Sequence, residues 1–155
     1  MLYLRFNLDG QEYAIDTSNV IEIAPLVKIK KGPGNASYIA GIMNYRGKPI
    51  PVMDLTMMIL GREFSPSMNT RIIITQVNDN NTPRLVGVIT EHINGVINKD
   101  EIEFFNSNNV SGNAAYLGNI AIDQKYMIQT VLIENLLLDK LNDMPNLSQS
   151  GSGDF

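Results

Sequence analysis

The sequence predicts a mainly β protein: two small five-stranded barrels packed on a shared core, with a short helix after the first lobe and a C-terminal helix. Three observations predict it. Short β-branched and aromatic segments are punctuated by Gly, Asn, Asp and Pro turns along the 155 residues. Tyr38-Ile39-Ala40-Gly41-Ile42 is echoed 78 residues later by Tyr116-Leu117-Gly118-Asn119-Ile120, and at the same offset Ile50, Met53, Leu55 and Leu60 meet Ile128, Val131, Ile133 and Leu138. Each half then holds about five short strands, which suits a closed barrel without exposed edges better than one flat sheet.

The elements follow in order. Leu2 to Leu8 alternates apolar and polar residues, turns at Asp9-Gly10 and resumes through Asp16, a hairpin signature. Val20-Ile21-Glu22-Ile23 continues as a strand, and the basic Lys28 to Lys31 leads into a loop at Gly32-Pro33-Gly34-Asn35. Tyr38 to Leu55 reads as two strands around a tight turn at Arg46-Gly47-Lys48, with Pro49 and Pro51 favouring an edge or a bulge. Asp54 to Leu60 reads as a short helix capped by Asp54 or Thr56 and stopped by Gly61.

Thr70 to Thr75 and Leu85 to Ile89 form a second long hairpin, and Ile93 to Ile97 a short strand. A small-residue loop at 106–115 precedes a strand pair, Tyr116 to Ile122 with Tyr126 to Val131, and a helix from about Ile133 to Leu141. Residues 1–142 are expected to be one domain, its first lobe at roughly 13–65 and its second at roughly 66–132, with terminal segments crossing between lobes. Residues 143–155 are expected to be a flexible tail.

Composition excludes several kinds of chemistry. Lys and Arg total 12 against 16 Asp and Glu, a formal net charge of -4 that gives no broad footprint for nucleic acid or an anionic membrane. Cysteine is absent, which removes disulfides, thiolate metal sites and thiol nucleophiles and agrees with a reducing compartment. His92 is the single histidine and sits beside Glu91 as a solvated residue rather than a catalytic base. Asp100-Glu101-Ile102-Glu103 lacks calcium-loop spacing, Gly32, Gly34, Gly41 and Gly47 do not form a phosphate cradle, and Met53, Met57 and Met58 read as core. No catalytic, cofactor or metal residues are assigned. Asp54 and Glu91 in an inter-lobe groove are the enzyme alternative, and a barrel for single-stranded nucleic acid would need an aromatic platform in a basic groove.

Arg46 and Glu22 stand apart. A guanidinium at the turn between two apolar strands either braces that turn against a carboxylate such as Glu22 or reaches a partner protein, and the two roles are compatible.

From Leu2 to Leu138 the chain resembles the CheW-like domain, the adaptor of bacterial chemoreceptor arrays. Its most specific stretch, Tyr38 to Leu55, is similar to the family pattern of an aromatic-apolar-x-Gly-apolar segment, then Asn-Leu-Arg-Gly, then Pro-apolar-apolar-Asp-Leu. The resemblance implies SH3-like barrels and a non-catalytic role, without cofactor, coupling a chemoreceptor cytoplasmic domain to the regulatory domain of a CheA-like histidine kinase. It also implies a cytoplasmic protein, membrane-associated only through receptor complexes, with self-association in arrays as a further option and a pilus-based or other non-flagellar output as the alternative. By position, the receptor groove falls on Val20, Glu22, Gly41, Arg46 and Gly87. The chain departs from the pattern at Tyr45, where the family has Leu, at Gly118-Asn119, where the second-lobe glycine is shifted one place, and at Leu132, where the family has an acid.

Overall fold

A computed structural model describes residues 1–32, 36–106 and 116–140. The first half comprises β1 (Leu2–Leu8), β2 (Gln11–Asp16), β3 (Val20–Pro25), β4 (Ile39–Tyr45), β5 (Lys48–Asp54) and α1 (Leu55–Leu60). The second comprises β6 (Arg71–Asp79), β7 (Thr82–Thr90), β8 (Ile93–Asn98), a 3-10 turn at Lys99–Glu101, β9 (Glu103–Phe105), β10 (Leu117–Asp123), β11 (Tyr126–Val131) and α2 (Ile133–Lys140). The expected loop around Pro33–Asn35, nearly all of the loop at 106–115, Leu141 at the end of the second helix and the tail lie outside the described residues.

Local chemistry accounts for the turns and caps. Asp9 and Gly10 (φ 51° and 82°), Arg46 and Gly47 (52° and 84°) and Asn80 and Asn81 (50° and 66°) all adopt the positive φ that lets a two-residue hairpin turn match the twist of its strands. Arg46 is the one long side chain among them. The Asp54 side chain accepts from the Met57 N–H at 3.1 Å, and Gly61 closes α1 in the left-handed conformation, φ 77°.

Two sheets form, with strand orders β8-β1-β2-β11-β10-β9 and β3-β6-β7-β5-β4. A shift of 73 residues carries β3 onto β8, and a shift of 78 carries β4, β5 and α1 onto β10, β11 and α2. With these equivalences the two orders become the same, β9 aside. Each sequence repeat places its first hairpin in one sheet and its later strands in the other. The lobe limits expected from sequence are therefore corrected: β6 and β7 belong to the sheet of β3, β4 and β5, here called the first lobe, while β1 and β2 belong to the second. The β6–β7 hairpin is apolar on both faces and needs cover on each. In β6, Ile72 and Ile74 enter one buried cluster while Ile73 and Val77 enter another.

Closure follows from two bent strands. Beyond β3 the chain continues to Lys30, which exchanges backbone hydrogen bonds with Ile42 of β4 at 2.8 and 2.9 Å. This joins the two edges of the five-stranded sheet. In the second lobe β8 bends at Lys99–Glu101 and returns as β9 to pair with β10. The six strands there are thus five in barrel terms, with one bent strand counted twice. β5 lies inside the sheet order, yet β7 pairs with it only from Val52 to Asp54. Pro49 and Pro51 consequently occupy a stretch whose one paired neighbour is β4, which makes the missing N–H groups harmless.

Three apolar clusters result. Met43, Ile50, Val52, Ile72, Ile74 and Ile89 fill the first barrel. Ala14, Ala121 and Ile128, with Tyr3, Ile97 and Phe104 against them, fill the second. The largest lies between barrels and includes Phe6, Leu8 and Ile15 from one sheet, Ile73, Val86 and Val88 from the other, and Leu55, Leu136 and Leu137 from the helices. The shared core expected from sequence is this cluster.

Candidate functional site

The site begins with a bulge. Val20 pairs with Thr75 while Glu22 pairs with Ile74, so Ile21 is an extra residue in the ladder. Side chains alternate with period two, and one inserted residue reverses that phase. Val20 faces the inter-barrel core, whereas Glu22 shares the barrel-interior face of Ile74 at the open mouth of the first lobe. The sequence reading had put both on one surface.

Across that mouth stands the β4–β5 turn. Asn44 Oδ1 accepts from the Gly47 N–H at 2.8 Å, and Gly47 supplies the second positive φ, so the turn holds Arg46 at its tip. Arg46 Nη2 donates to Glu22 Oε1 at 2.9 Å. The Tyr45 hydroxyl donates to the same oxygen at 2.5 Å, and the Arg46 guanidinium lies 5.3 Å from the Tyr45 ring centroid. Tyr45 packs its ring on the first-barrel core, and Arg46 remains 75% exposed. Its bond to Glu22 holds the Tyr45 phenol above its ordinary range, burial and the Glu22 charge acting the same way and the Arg46 charge opposing.

Of the five predicted contact residues the structure brings Glu22 and Arg46 together. Val20 lies half-buried on the other side of β3. Gly41 and Gly87 are both buried and pack within the first lobe. A Cβ on Gly41, whose φ is 147°, would stand 2.3 Å from the Lys30 carbonyl oxygen, so this glycine lets the closing strand cross β4. A Cβ on Gly87 would press on Ile72, Val52 and Met43 inside the barrel.

Sequence reasoning missed two further features. Lys28, Lys30, Ile42, Asn44 and Pro49 line a groove of about 690 Å³ on the outside of the first lobe. The equivalent face of the second lobe carries Glu103, Phe105, Ile122 and Met127, acidic and apolar rather than basic. The mouth of the second barrel is closed differently from the first: Arg5 bonds Glu12 at 3.2 Å and Asp123 at 3.0 Å and lies 5.1 Å from the Tyr126 ring centroid. The basic run Lys28–Lys31 becomes a groove only when Lys30 closes onto Ile42, and the Arg5 network forms only where β1 and β2 join the sheet of β10 and β11.

The carboxylates of the enzyme alternative are occupied. Asp54 accepts from the N–H groups of Met57 and Phe64, and Glu91 from Ser65 N–H and both terminal nitrogens of Arg62. They tie the 61–65 loop to the barrel. Among the described residues no group of three or more His, Asp or Glu is arranged to hold a metal ion, and no helix is long and apolar enough to cross a membrane.

Fold and site together define a two-barrel interaction domain whose distinctive chemistry is an exposed, braced arginine. The CheW-like domain profile matches residues 2–140, and the chain belongs to that family. It is 37% identical over 98 residues to the chemotaxis protein CheW of Bacillus subtilis, covering 63% of this chain and 60% of that one. It is 30% identical over 94 residues to the CheW of Thermotoga maritima, covering 61% and 59%. These matches thus span less than two thirds of the relatives' own length. The crystal structure of the scaffolding protein TtCheW from Thermoanaerobacter tengcongensis superposes with a TM-score of 0.71 at 28% identity, covering 88% of this chain and 86% of that one.

Proposed function

We propose that the chain is a non-catalytic cytoplasmic adaptor that couples the cytoplasmic domain of a chemoreceptor to a histidine kinase in chemotaxis-type signalling. The observation that carries the receptor half is Arg46: it is braced by Glu22 and Tyr45 yet keeps most of its donors in solvent. Ile21 and Ile23, on either side of Glu22 in the β3 sequence, are exposed and add apolar area to the same strand. Arg46→Glu reverses the exposed charge and sets it against Glu22. The expected result is at least about a tenfold loss of affinity for the cognate receptor cytoplasmic fragment, about 1.4 kcal/mol, measured by calorimetry on a variant with an unchanged circular dichroism spectrum. Undiminished binding by the folded variant overturns the assignment.

The kinase half is supported by the lysine groove. A regulatory domain of the same two-barrel fold that carries an acidic-apolar face like that of the second lobe would be complementary to Lys28 and Lys30 around Ile42. Reversing both lysines to glutamate is expected to weaken kinase-domain binding about tenfold at low salt and less at high salt. Receptor-fragment binding should stay within twofold or so in the same variant, and equal weakening of both partners would refute separate surfaces.

A further inference from the structure

We propose that Tyr45, standing where the family pattern has leucine, is a positioning residue that presets Arg46 to receive a carboxylate from the partner. This rests on the receptor-site reading and adds to it the chemistry of what is received.

An exposed Arg–Glu pair is ordinarily weak, worth about 0–1 kcal/mol, because two long side chains lose freedom to form it and salt screens it. It also works against binding, since the glutamate already neutralises the guanidinium an incoming carboxylate needs. Tyr45 changes both terms. Its ring packs on the barrel core and lies beside the guanidinium, restricting where Arg46 can go. Its hydroxyl donates to the same Glu22 oxygen that Arg46 uses, so part of the carboxylate's charge is satisfied from inside the barrel. Arg46 donates to Glu22 through a single Nη2–H, which leaves the other two-nitrogen edge of the guanidinium able to grip a second carboxylate bidentately. Leucine supplies neither the ring contact nor the donor.

The occupant is accordingly an acidic residue of the partner, received by the exposed guanidinium. An incoming basic residue would meet Arg46 first and be repelled.

Two experiments on the whole protein test this. In the first, the Tyr45 phenol is titrated by ultraviolet absorbance, its signal identified by difference against Tyr45→Phe. Glu22→Gln should bring its pKa down and Arg46→Gln should raise it further; no movement in either variant refutes the triad without reference to any partner. In the second, the receptor cytoplasmic fragment is titrated into wild type, Tyr45→Phe, Arg46→Glu and the double variant. Tyr45→Phe keeps the ring and should weaken binding by about fivefold, the indirect effect of losing one hydrogen bond to the Glu22 carboxylate. The double variant should bind no worse than Arg46→Glu alone. Full binding by Tyr45→Phe, or additive losses, overturns the proposal while leaving Arg46 as the contact. No effect of Arg46→Glu instead overturns the receptor-site reading on which it rests. If Tyr45→Phe unfolds, Tyr45→Leu, the family's own residue, takes its place with the same expected direction.

Discussion

Arg62→Ala is expected to lower the stability of the domain by about 3 kcal/mol, the scale of stranding one member of a buried ion pair. Glu91 is 2% exposed, and Arg62 holds both its oxygens, Nη1 at 3.0 Å and Nη2 at 3.1 Å. The same guanidinium reaches Asp9 at 2.7 and 3.2 Å, joining the β1–β2 turn of the second lobe to the end of β7 in the first. Without it a carboxylate stays buried with one backbone donor, Ser65 N–H. At this chain length the loss corresponds to a fall in Tm of roughly 6–12 °C, read by calorimetry. Asp9→Asn removes the exposed half of the bridge and should lower Tm much less than Arg62→Ala. Equal effects of the two substitutions would refute the account.

The penalty should also depend on pH. Burial is the largest influence on the Glu91 carboxyl and pushes its pKa up, but the bonds from Arg62 and Ser65 and the charges of Arg62 and His92 together hold it below the usual range. A folded pKa below the unfolded one gives stability that is present above the unfolded value, about 4.3, and is lost as pH falls through the folded value. In Arg62→Ala burial dominates and the sign reverses. The gap between variant and wild type therefore narrows in acid. Asp54 already behaves in the reversed way: burial raises its pKa, the amides of Phe64, Met57 and Thr56 oppose without cancelling, and the Glu91 charge adds to the rise. Its contribution is full below the unfolded value and falls as pH rises through the folded one.

Gly41→Ala is the second large effect, expected at about 2–3 kcal/mol from overpacking and backbone strain. The added Cβ would meet the Lys30 carbonyl oxygen at 2.3 Å and Ile29 Cγ2 at 2.8 Å; the nearer of these is backbone of the closing strand, which cannot swing aside as a side chain can. Relief requires Lys30 to leave Ile42, which opens the first barrel and breaks up the lysine groove. Gly47→Ala is the control. Its φ of 84° is also unfavourable for alanine, but nothing lies within 4 Å of the added carbon, so about 1 kcal/mol is expected. Hydrogen exchange at the Ile42 amide separates them: protection should collapse in Gly41→Ala and persist in Gly47→Ala. Similar protection in both would show that crowding by the closing strand is not what Gly41 prevents.

By itself the sequence determined whatever depends on residues three or four apart, together with the family motif. The Asp9-Gly10 and Arg46-Gly47 turns, the Asp54 and Gly61 caps and the 78-residue echo were legible because hairpin and cap chemistry is local and because repeats keep their apolar positions. The pairing of Glu22 with Arg46 was legible as an option, two opposite charges near one turn. Only the tertiary structure decided which barrel each hairpin enters, since β6 is apolar on both faces and its period says nothing about which sheet will cover it. It also decided that Val20 and Glu22 face opposite ways, because a one-residue bulge inverts side-chain phase and leaves no mark in composition. Gly41, Gly87 and Arg62 belong with these: their roles lie in contacts with Lys30, Ile72 and Glu91, partners 11, 15 and 29 residues away that only the folded chain brings to them.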